Sequence, residues 1–420
     1  CLKFIEQTKD EIERAKALLQ QAGLVDDAGK RKMKLAREYM EKTCHSLGVP
    51  VPKTKKGKDA KDSWTPSTCL DAEACRDTGD DVLKAYATYT SANTLEKKAQ
   101  ILLKGSQGVP LQTSFETLLE TGRTSSRAPM PPMVGENLQN VRQAPGMREC
   151  FIARPGFVLG SIDFDMAELR TVSQICLWLF GKSLLAEALN NNRDVHSVVG
   201  SELMRVSYEE MVANKKSGVY KKNRDHGKMG NFSLWGGSGI AAFVAAVNKK
   251  AKNKDERIDE SIGQQIKTSW QRAWPEQREY FKWTSEMTEA GAAYKSWITG
   301  RVRANINYTT WANNGFQSLA ADAAKAGLLP LAKECYSVPT SPLYGSRPLI
   351  FIHDEILFEF REDRAHEAAF RARDIMVENF NRFVPDVNVT AEPTLMKAWS
   401  KAAVSVYDAQ GRLIPWGHAA

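Results

Sequence analysis

Over the first hundred residues, apolar side chains return every three or four positions. Leu2, Ile5, Ile12, Ala15, Leu18 and Leu19 fall on roughly one face of a helix that Gly23 ends. Met33, Leu35, Tyr39, Met40, Cys44 and Leu47 make a second helix, stopped by Gly48 and Pro50. A third is expected over about 81–103, with Val82, Leu83, Tyr86, Tyr89, Leu95 and Leu102 as its apolar side. Between the second and third lies a basic loop that carries Lys53, Lys55, Lys56, Lys58 and Lys61. Taken alone it reads best as a solvated connection, with a phosphate-gripping tip as the alternative.

From about residue 110 the pattern changes. The Pro-, Met- and Gly-rich stretch 128–135 has no regular period. Phe157–Ile162 reads as a buried strand that runs out at Asp163, with helical character from Asp165. Residues 190–310 are mostly helical and rich in Lys, Trp and Gly, and from Asn313 a small-residue helix runs through Ala320, Ala321, Ala323, Ala324 and Ala326. Leu349–Ile352 and Ile356–Phe358 flank His353, Asp354 and Glu355 and predict a hairpin. A helix near 362–383 and a strand near Val387–Val389 complete the pattern. Helical arms on a small α/β platform indicate an α+β architecture.

Composition narrows the class. With 420 residues, two or three domains are expected and no covalent staple is needed. A hydrophobic content of 42%, a charged content of 26% and a mean hydropathy of −0.41 exclude a disordered or collagen-like chain. The longest apolar patches, such as Ala241–Val247, are far too short for a membrane helix. A net charge of +8 suits a polyanionic partner but decides little alone. The seven cysteines, an odd number, include no C-x-x-C pair and no zinc spacing, so they read as reduced thiols in a cytosolic-type compartment. The start at Cys1 with no signal peptide suggests a fragment with sequence upstream.

Three places could carry chemistry. Asp163 ends an apolar strand, where a carboxylate costs desolvation unless it has a task such as holding a divalent cation, with the Phe164 carbonyl as a further oxygen. Asp165 and Glu168 have capping-box spacing and so also read as a plain helix start. Asp354 interrupts two apolar strands. Alone it is a turn acid, but beside a second strand-end acid it would repel its neighbour and call for cations. On a helix Arg224, Lys228 and Phe232 share one face, two cations beside an aromatic, which suits a triphosphate carrying a planar base. A solvated basic face is the plainer reading of that motif alone. Gly227 and Gly230 on the same helix each cost about 1 kcal/mol against alanine and are not explained by the pattern.

These motifs occur in an order that resembles the polymerase module of family-A, DNA polymerase I-like, DNA polymerases. The strand-borne Asp163-x-x-x-x-Glu168-Leu169-Arg170 resembles the first family motif, Arg224-x-x-x-Lys228-x-x-Asn231-Phe232 the fingers-helix motif, and His353-Asp354-Glu355 the third. Supporting similarities are Thr121-Gly122-Arg123-Thr124-Ser125-Ser126 with Asn137-Leu138-Gln139-Asn140, then Arg193-Asp194-Val195-His196, then Asn313 with Gln317–Asp322, and a thumb-helix likeness at Tyr86–Leu95. The resemblance implies a right-hand architecture with an antiparallel-sheet palm, helical fingers and a helical thumb. It assigns 1–110 to the thumb, 111–185 to the first part of the palm, 186–312 to the fingers and 313–420 to the rest of the palm. By the same resemblance Asp163 and Asp354 would hold two Mg²⁺ ions, or Mn²⁺, with the Phe164 carbonyl assisting. Lys228, Arg224 and His196 would contact the triphosphate, and Lys228 would serve as acid to the pyrophosphate. Phe232 would pack on sugar and base, and Glu168 would crowd the 2′ position. Arg123, Asn137, Gln139, Asn140, Asn313, Gln317 and His353 would line primer–template DNA, with Lys55 and Lys56 in the basic loop. The implied partners are primer–template DNA, dNTPs, and an upstream exonuclease domain or replisome proteins, in the cytoplasm and with no membrane.

The chain departs from the family pattern at Ser233, at Gln317-Ser318-Leu319 and at Gly236, where the family has tyrosine. Trp235 is expected to take over part of that tyrosine's stacking on the template. A single-subunit RNA polymerase-like enzyme and a catalytically silent DNA-binding protein on the same fold are the alternative readings.

Overall fold

A computed structural model describes residues 2–54, 65–105, 111–117, 119–142, 144, 146–251 and 256–417. The chain divides into two compact units, Cys1–Ser114 with Arg127–Cys150, and Phe115–Ser126 with Phe151–Ala420. Residues 127–150 thus cluster with the N-terminal helices. Lys55, Lys56, Lys58 and Lys61 of the basic loop lie outside the described residues. Among the described residues no helix is long and apolar enough to cross a membrane.

The first unit is helical. α1 (Leu2–Gln21), α2 (Met33–Leu47), α3 (Ala72–Asp77) and α4 (Asp81–Gly105) make it up; α1, α2 and α4 follow the apolar periods closely, and the short α3 is a helix the periods did not predict. Ile12, Ala15 and Leu19 of α1 meet Met40 and Cys44 of α2 and Leu83, Tyr86 and Ala87 of α4 in one apolar cluster. α2 ends as its glycine requires. Gly48 takes the left-handed conformation, φ 66°, and the Gly48 and Val49 amides donate back to His45 and Cys44. A single turn at Leu138–Asn140 is capped by the Asn137 side chain, which accepts from the Asn140 amide.

Strands β1 (Ser114–Glu116) and β2 (Ser125–Arg127) mark where the sequence passes between units. In the second unit β3 (Phe157–Phe164) leads into helices α5 (Ala167–Phe180), α6 (Leu184–Asn190), α7 (Val195–Met204), α8 (Tyr208–Asn214), α9 (Gly218–Ser233), α10 (Ile240–Lys250), α11 (Glu260–Ala273) and α12 (Gln277–Glu289). The short strands β4 (Tyr294–Lys295) and β5 (Val302–Arg303) precede α13 (Tyr308–Ala326) and α14 (Leu328–Ser337). β6 (Arg347–Ile352), β7 (Glu355–Arg361), α15 (Ala365–Asn381), β8 (Ala391–Met396), β9 (Val406–Tyr407) and β10 (Leu413–Trp416) complete it.

The main sheet has strand order β6-β7-β3-β8-β10-β9. It is not purely antiparallel, as the resemblance implied: β10 runs parallel to β8, so the sheet is mixed. The strand expected near Val387–Val389 is also absent, and pairing begins at Ala391. Side chains occupy the backbone in between. Arg170 donates to the Asn388 carbonyl, and the Asn388 amide donates to Asn190 Oδ1 at 2.7 Å. β8 contains Pro393, a residue normally kept out of inner strands. Its carbonyl faces away from β3 to accept from Ser405 Oγ at 2.9 Å. The β8–β10 ladder reaches only Leu395 and Met396, so the missing N–H is not needed there.

The crossing of α7 and α9 explains Gly227, one of the two glycines the sequence left open. A Cβ on Gly227 would run into the His196 carbonyl and lie 3.2 Å from the Gly200 nitrogen. A Cβ on Gly200 would lie 3.3 Å from the Arg224 backbone. Backbone approaches backbone here, and neither side can yield. At Gly230 the nearest atom is a side-chain methyl of Ile266, at 3.2 Å, which can move. Gly227→Ala is therefore expected to lower stability in urea by about 1–3 kcal/mol despite its better helix propensity. Gly230→Ala should cost clearly less, and a net gain for Gly227→Ala would contradict the close crossing.

Candidate active site

Pairing of β3 with β7 sets the acidic centre. Asp163, the penultimate residue of β3, stands directly opposite Glu355 on β7 and opposite Glu392 on β8. His353 and Asp354 form the two-residue turn between β6 and β7. His353 adopts φ 60°, a sparsely populated region that costs about 1 kcal/mol or more. The Phe164 amide donates to the Asp354 carbonyl at 3.3 Å, which fastens the turn to the end of β3. The Phe164 ring is buried against Phe380, with centroids 4.6 Å apart, so the strand end is anchored from below.

The carboxylates strain one another. Local desolvation, then the charges of Asp354 and Glu355, push Asp163 up to about 7, although its side chain is still reached by solvent. Desolvation also raises Asp354, opposed by His353 and Arg123. Glu355 is buried and accepts from Ser161 Oγ and Lys401 Nζ, each at 2.5 Å. Lys401 also eases the charge on Asp163. Neither Lys401 nor Glu392 stood out in the sequence, because Glu392 becomes notable only through the β3–β8 register and Lys401 only through its bond to Glu355.

These donors fit a hard divalent ion. Asp163, Asp354 and the Phe164 carbonyl offer oxygen only, and like-charged carboxylates gain from a cation between them. Among the described residues no group of three His, Cys, Asp or Glu side chains is gathered to hold a metal. A site of two carboxylates and a carbonyl suits an ion that keeps several of its waters.

The start of α5 is not a capping box. Met166, in the left-handed conformation, is the N-cap and makes no side-chain cap bond. Asp165 instead faces the buried Arg170, which donates to the Asp165 carbonyl at 2.6 Å and to Thr390 Oγ1 at 2.7 Å. Glu168 is paired with Arg123. Burial raises the Glu168 carboxyl, Arg123 pulls it down and Asp354 adds to the rise. Burial and Arg123 lower the His353 imidazole, against Asp354.

Arg224, Lys228 and Phe232 share one face of α9, as the spacing predicts. Phe232 is 47% exposed, and Lys228 is exposed with no ion pair among the described residues. Arg224 is held by Asp194, Nε to Oδ2 at 2.8 Å, and Lys215 shares that carboxylate at 3.3 Å. Burial would raise Asp194, but the Arg224 bonds and charge, with the Ser197 donors, hold it at about 2. Asp194 also caps α7 and so sets His196 beside α9. The His196 and Phe232 rings lie 5.4 Å apart.

Asn313 and Gln317 lie one turn apart on α13, half-buried, and the Asn313 amide donates to the Thr309 carbonyl at 2.8 Å and the Gly236 carbonyl at 3.3 Å. Asn137, Gln139 and Asn140 belong to the first unit, whereas Arg123 belongs to the second. Trp235 does not take the place of the missing tyrosine. It is 2% exposed and stands edge-on to Trp270 and Tyr280, because the turn Leu234–Gly236 rotates it into the core. The space beside Gly236 is filled by Asn313, and that beside Gly237 by Tyr308.

The family model described as DNA polymerase family A matches residues 5–401. The chain belongs to DNA polymerase family A. This family-A chain is 27% identical to a thermostable DNA polymerase I of Thermus thermophilus over 365 residues, 81% of this chain and 39% of that protein. It is 24% identical to DNA polymerase I of Synechocystis sp. over 343 residues, 73% of this chain and 31% of that protein. The chain thus spans about a third to two fifths of these relatives. Among solved structures it resembles the POL domain of Pol1 from M. smegmatis in complex with DNA primer-template and dNTP. The TM-score is 0.68 at 20% identity, covering 94% of this chain and 65% of that one. The chain accordingly has the fold of a family-A POL domain.

The raised Asp163 carries a pH signature. An acid whose folded pKa lies above its unfolded value binds its proton more tightly when folded, so its contribution is present at low pH and lost as pH rises from about 4 to about 7. In chelator-treated protein, Asp163→Asn should raise the thermal midpoint by a few degrees at pH 8 and hardly at all at pH 4. Adding Mg²⁺ should narrow the pH 8 difference. Equal midpoints without metal at pH 8 would contradict the strained pair.

Proposed function

We propose that this chain is the polymerase region of a template-directed DNA polymerase, extending a primer 3′ end with dNTPs by two-metal phosphoryl transfer and releasing pyrophosphate. The observation that carries the reading is the meeting of Asp163 and Asp354 where β3 joins the β6–β7 turn, both above their ordinary carboxylate range. Family membership and the POL-domain fold support it.

Asp163, Asp354 and the Phe164 carbonyl would hold two Mg²⁺ ions, or Mn²⁺, which when bound neutralise charge on the transferred phosphoryl group and the attacking 3′-oxygen. The protein's own groups do the positioning, which is most of what phosphoryl transfer asks of it. Lys228, exposed and with no ion pair among the described residues, would meet the triphosphate and pass a proton to the departing pyrophosphate. Arg224, steadied by Asp194, and His196 would bind phosphate oxygens. Phe232 would cover the sugar and base. Glu168, tied to Arg123, would leave no room for a 2′-hydroxyl. Arg123, Asn137, Gln139, Asn140, Asn313, Gln317 and His353 would grip the duplex, whose minor-groove acceptors are nearly alike for every base pair. In this reading 1–110 is the thumb, 111–185 and 313–420 the palm and 186–312 the fingers. The partners are primer–template DNA and dNTPs, with an exonuclease domain or replisome proteins beyond this stretch, in the cytoplasm.

The intact chain is expected to extend a primed template with dNTPs and Mg²⁺. Asp354→Asn should slow extension about a thousandfold or more while primer–template binding persists. Near wild-type extension by Asp354→Asn would remove the metal assignment. No Mg²⁺-dependent extension by the intact chain would favour a silent DNA-binding protein. Glu168→Ala should admit NTPs at least tenfold better relative to dNTPs. An unchanged ratio, or NTP preference in wild type, would count against the 2′ role.

A further inference from the structure

Behind Phe232 a chain of hydrogen bonds leaves no freedom in how its members are protonated. The Trp274 indole N–H can only donate. It stands 2.8 Å from one terminus of the Asn231 amide, which must therefore be Oδ1. The Val195 carbonyl can only accept and stands 3.0 Å from the other terminus, which must be Nδ2. The two constraints agree. The same NH₂ faces His196 Nδ1 at 3.0 Å, and an amide NH₂ cannot accept, so Nδ1 must present its lone pair. The proton of the neutral ring is then on Nε2. His196 is 5% exposed, and none of the described residues bonds to its Nε2. Burial, with Arg224 and Lys228 nearby and against Asp194, holds the imidazole down at about 4. A second ring proton would also oppose N–H to N–H at Asn231.

We propose that Asn231, clamped between Trp274 and Val195, is a positioning residue that holds His196 as its Nε2–H tautomer and so presents one neutral, directed donor to a phosphate oxygen of the incoming nucleotide. The proposal rests on the nucleotide reading of this pocket and deepens it. Arg224 and Lys228 supply the charge there, and His196 supplies direction. The sequence offered Asn231 only as a letter in a motif and did not single out Trp274, which lies 43 positions further on.

The test is nitrogen NMR of the full chain labelled in histidine, with the His196 signals assigned by their loss in His196→Gln. At pH 7 the wild type should show a bare Nδ1 and a protonated Nε2. Asn231→Asp, nearly isosteric, turns the donor facing the ring into an acceptor and should place a proton on Nδ1. A protonated Nδ1 in the wild type overturns the proposal whatever the Asn231 variant does, as does a bare Nδ1 in folded Asn231→Asp. Adding dTTP with Ca²⁺ and primer–template should shift the wild-type Nε2 signal. In steady-state extension Asn231→Asp should raise KM for dNTP several-fold more than it lowers kcat. An Nε2 signal indifferent to bound dTTP overturns the positioning role even if the tautomer is as stated. Failure of the nucleotide reading itself appears separately, as absence of dTTP binding and of extension by the wild type.

Discussion

Two carboxylates that repel each other are held together here by a strand register. Asp163 faces Glu355 because β3 and β7 pair as they do, and Asp354 follows because its carbonyl takes the Phe164 amide. A slip of one residue would turn Asp163 to the other face of the sheet. The register is protected by apolar neighbours along the same strands. Val158, Ile162, Ile356, Phe358 and Phe360 are all buried on one face, and a one-residue slip would take them out of that packing. The hydrophobic core thus does the work of holding an unfavourable charge arrangement, and that arrangement is what gives the site its appetite for cations.

The second constraint is the close crossing of α7 and α9. Gly200 and Gly227 let the two helices touch backbone to backbone, which sets His196 beside Phe232 and Asp194 beside Arg224. Apart from the His196 Nε2–H, the polar side chains that meet there have partners among the described residues. Asp194 is shared by Arg224, Lys215 and the start of α7, and Asn231 joins Trp274, Val195 and His196. Buried polar networks of this kind stabilise only when fully satisfied. Here satisfaction also dictates protonation, because an indole and a carbonyl have no alternative roles.

The departures from the family pattern take on physical meaning in the same region. Gly236 is not an aromatic position emptied and refilled by Trp235, since Trp235 belongs to the core with Trp270 and Tyr280. The volume beside Gly236 is taken by Asn313, which bonds to the glycine carbonyl. Asn313 lies 77 positions from Gly236 in the chain, so this contact is set by how the helices meet and not by local sequence.

What the sequence alone determined was local and periodic. The three long helices of the first unit, β3, the β6–β7 hairpin and the α9 face that carries Arg224, Lys228 and Phe232 were all legible, because a 3.6 or twofold repeat and a capping glycine act over a few residues. The ordered motifs also pointed to the family, and to Asp163 and Asp354 as candidates. Only the tertiary structure decided the rest. The parallel β8–β10 pair, the missing strand at 387–389, the core position of Trp235 and the roles of Lys401, Glu392, Asn231 and Trp274 depend on which strands and helices become neighbours. A side chain's ordinary chemistry can be read from its letter. Its partner, and hence its charge and task, is set by packing between segments that the chain itself keeps far apart.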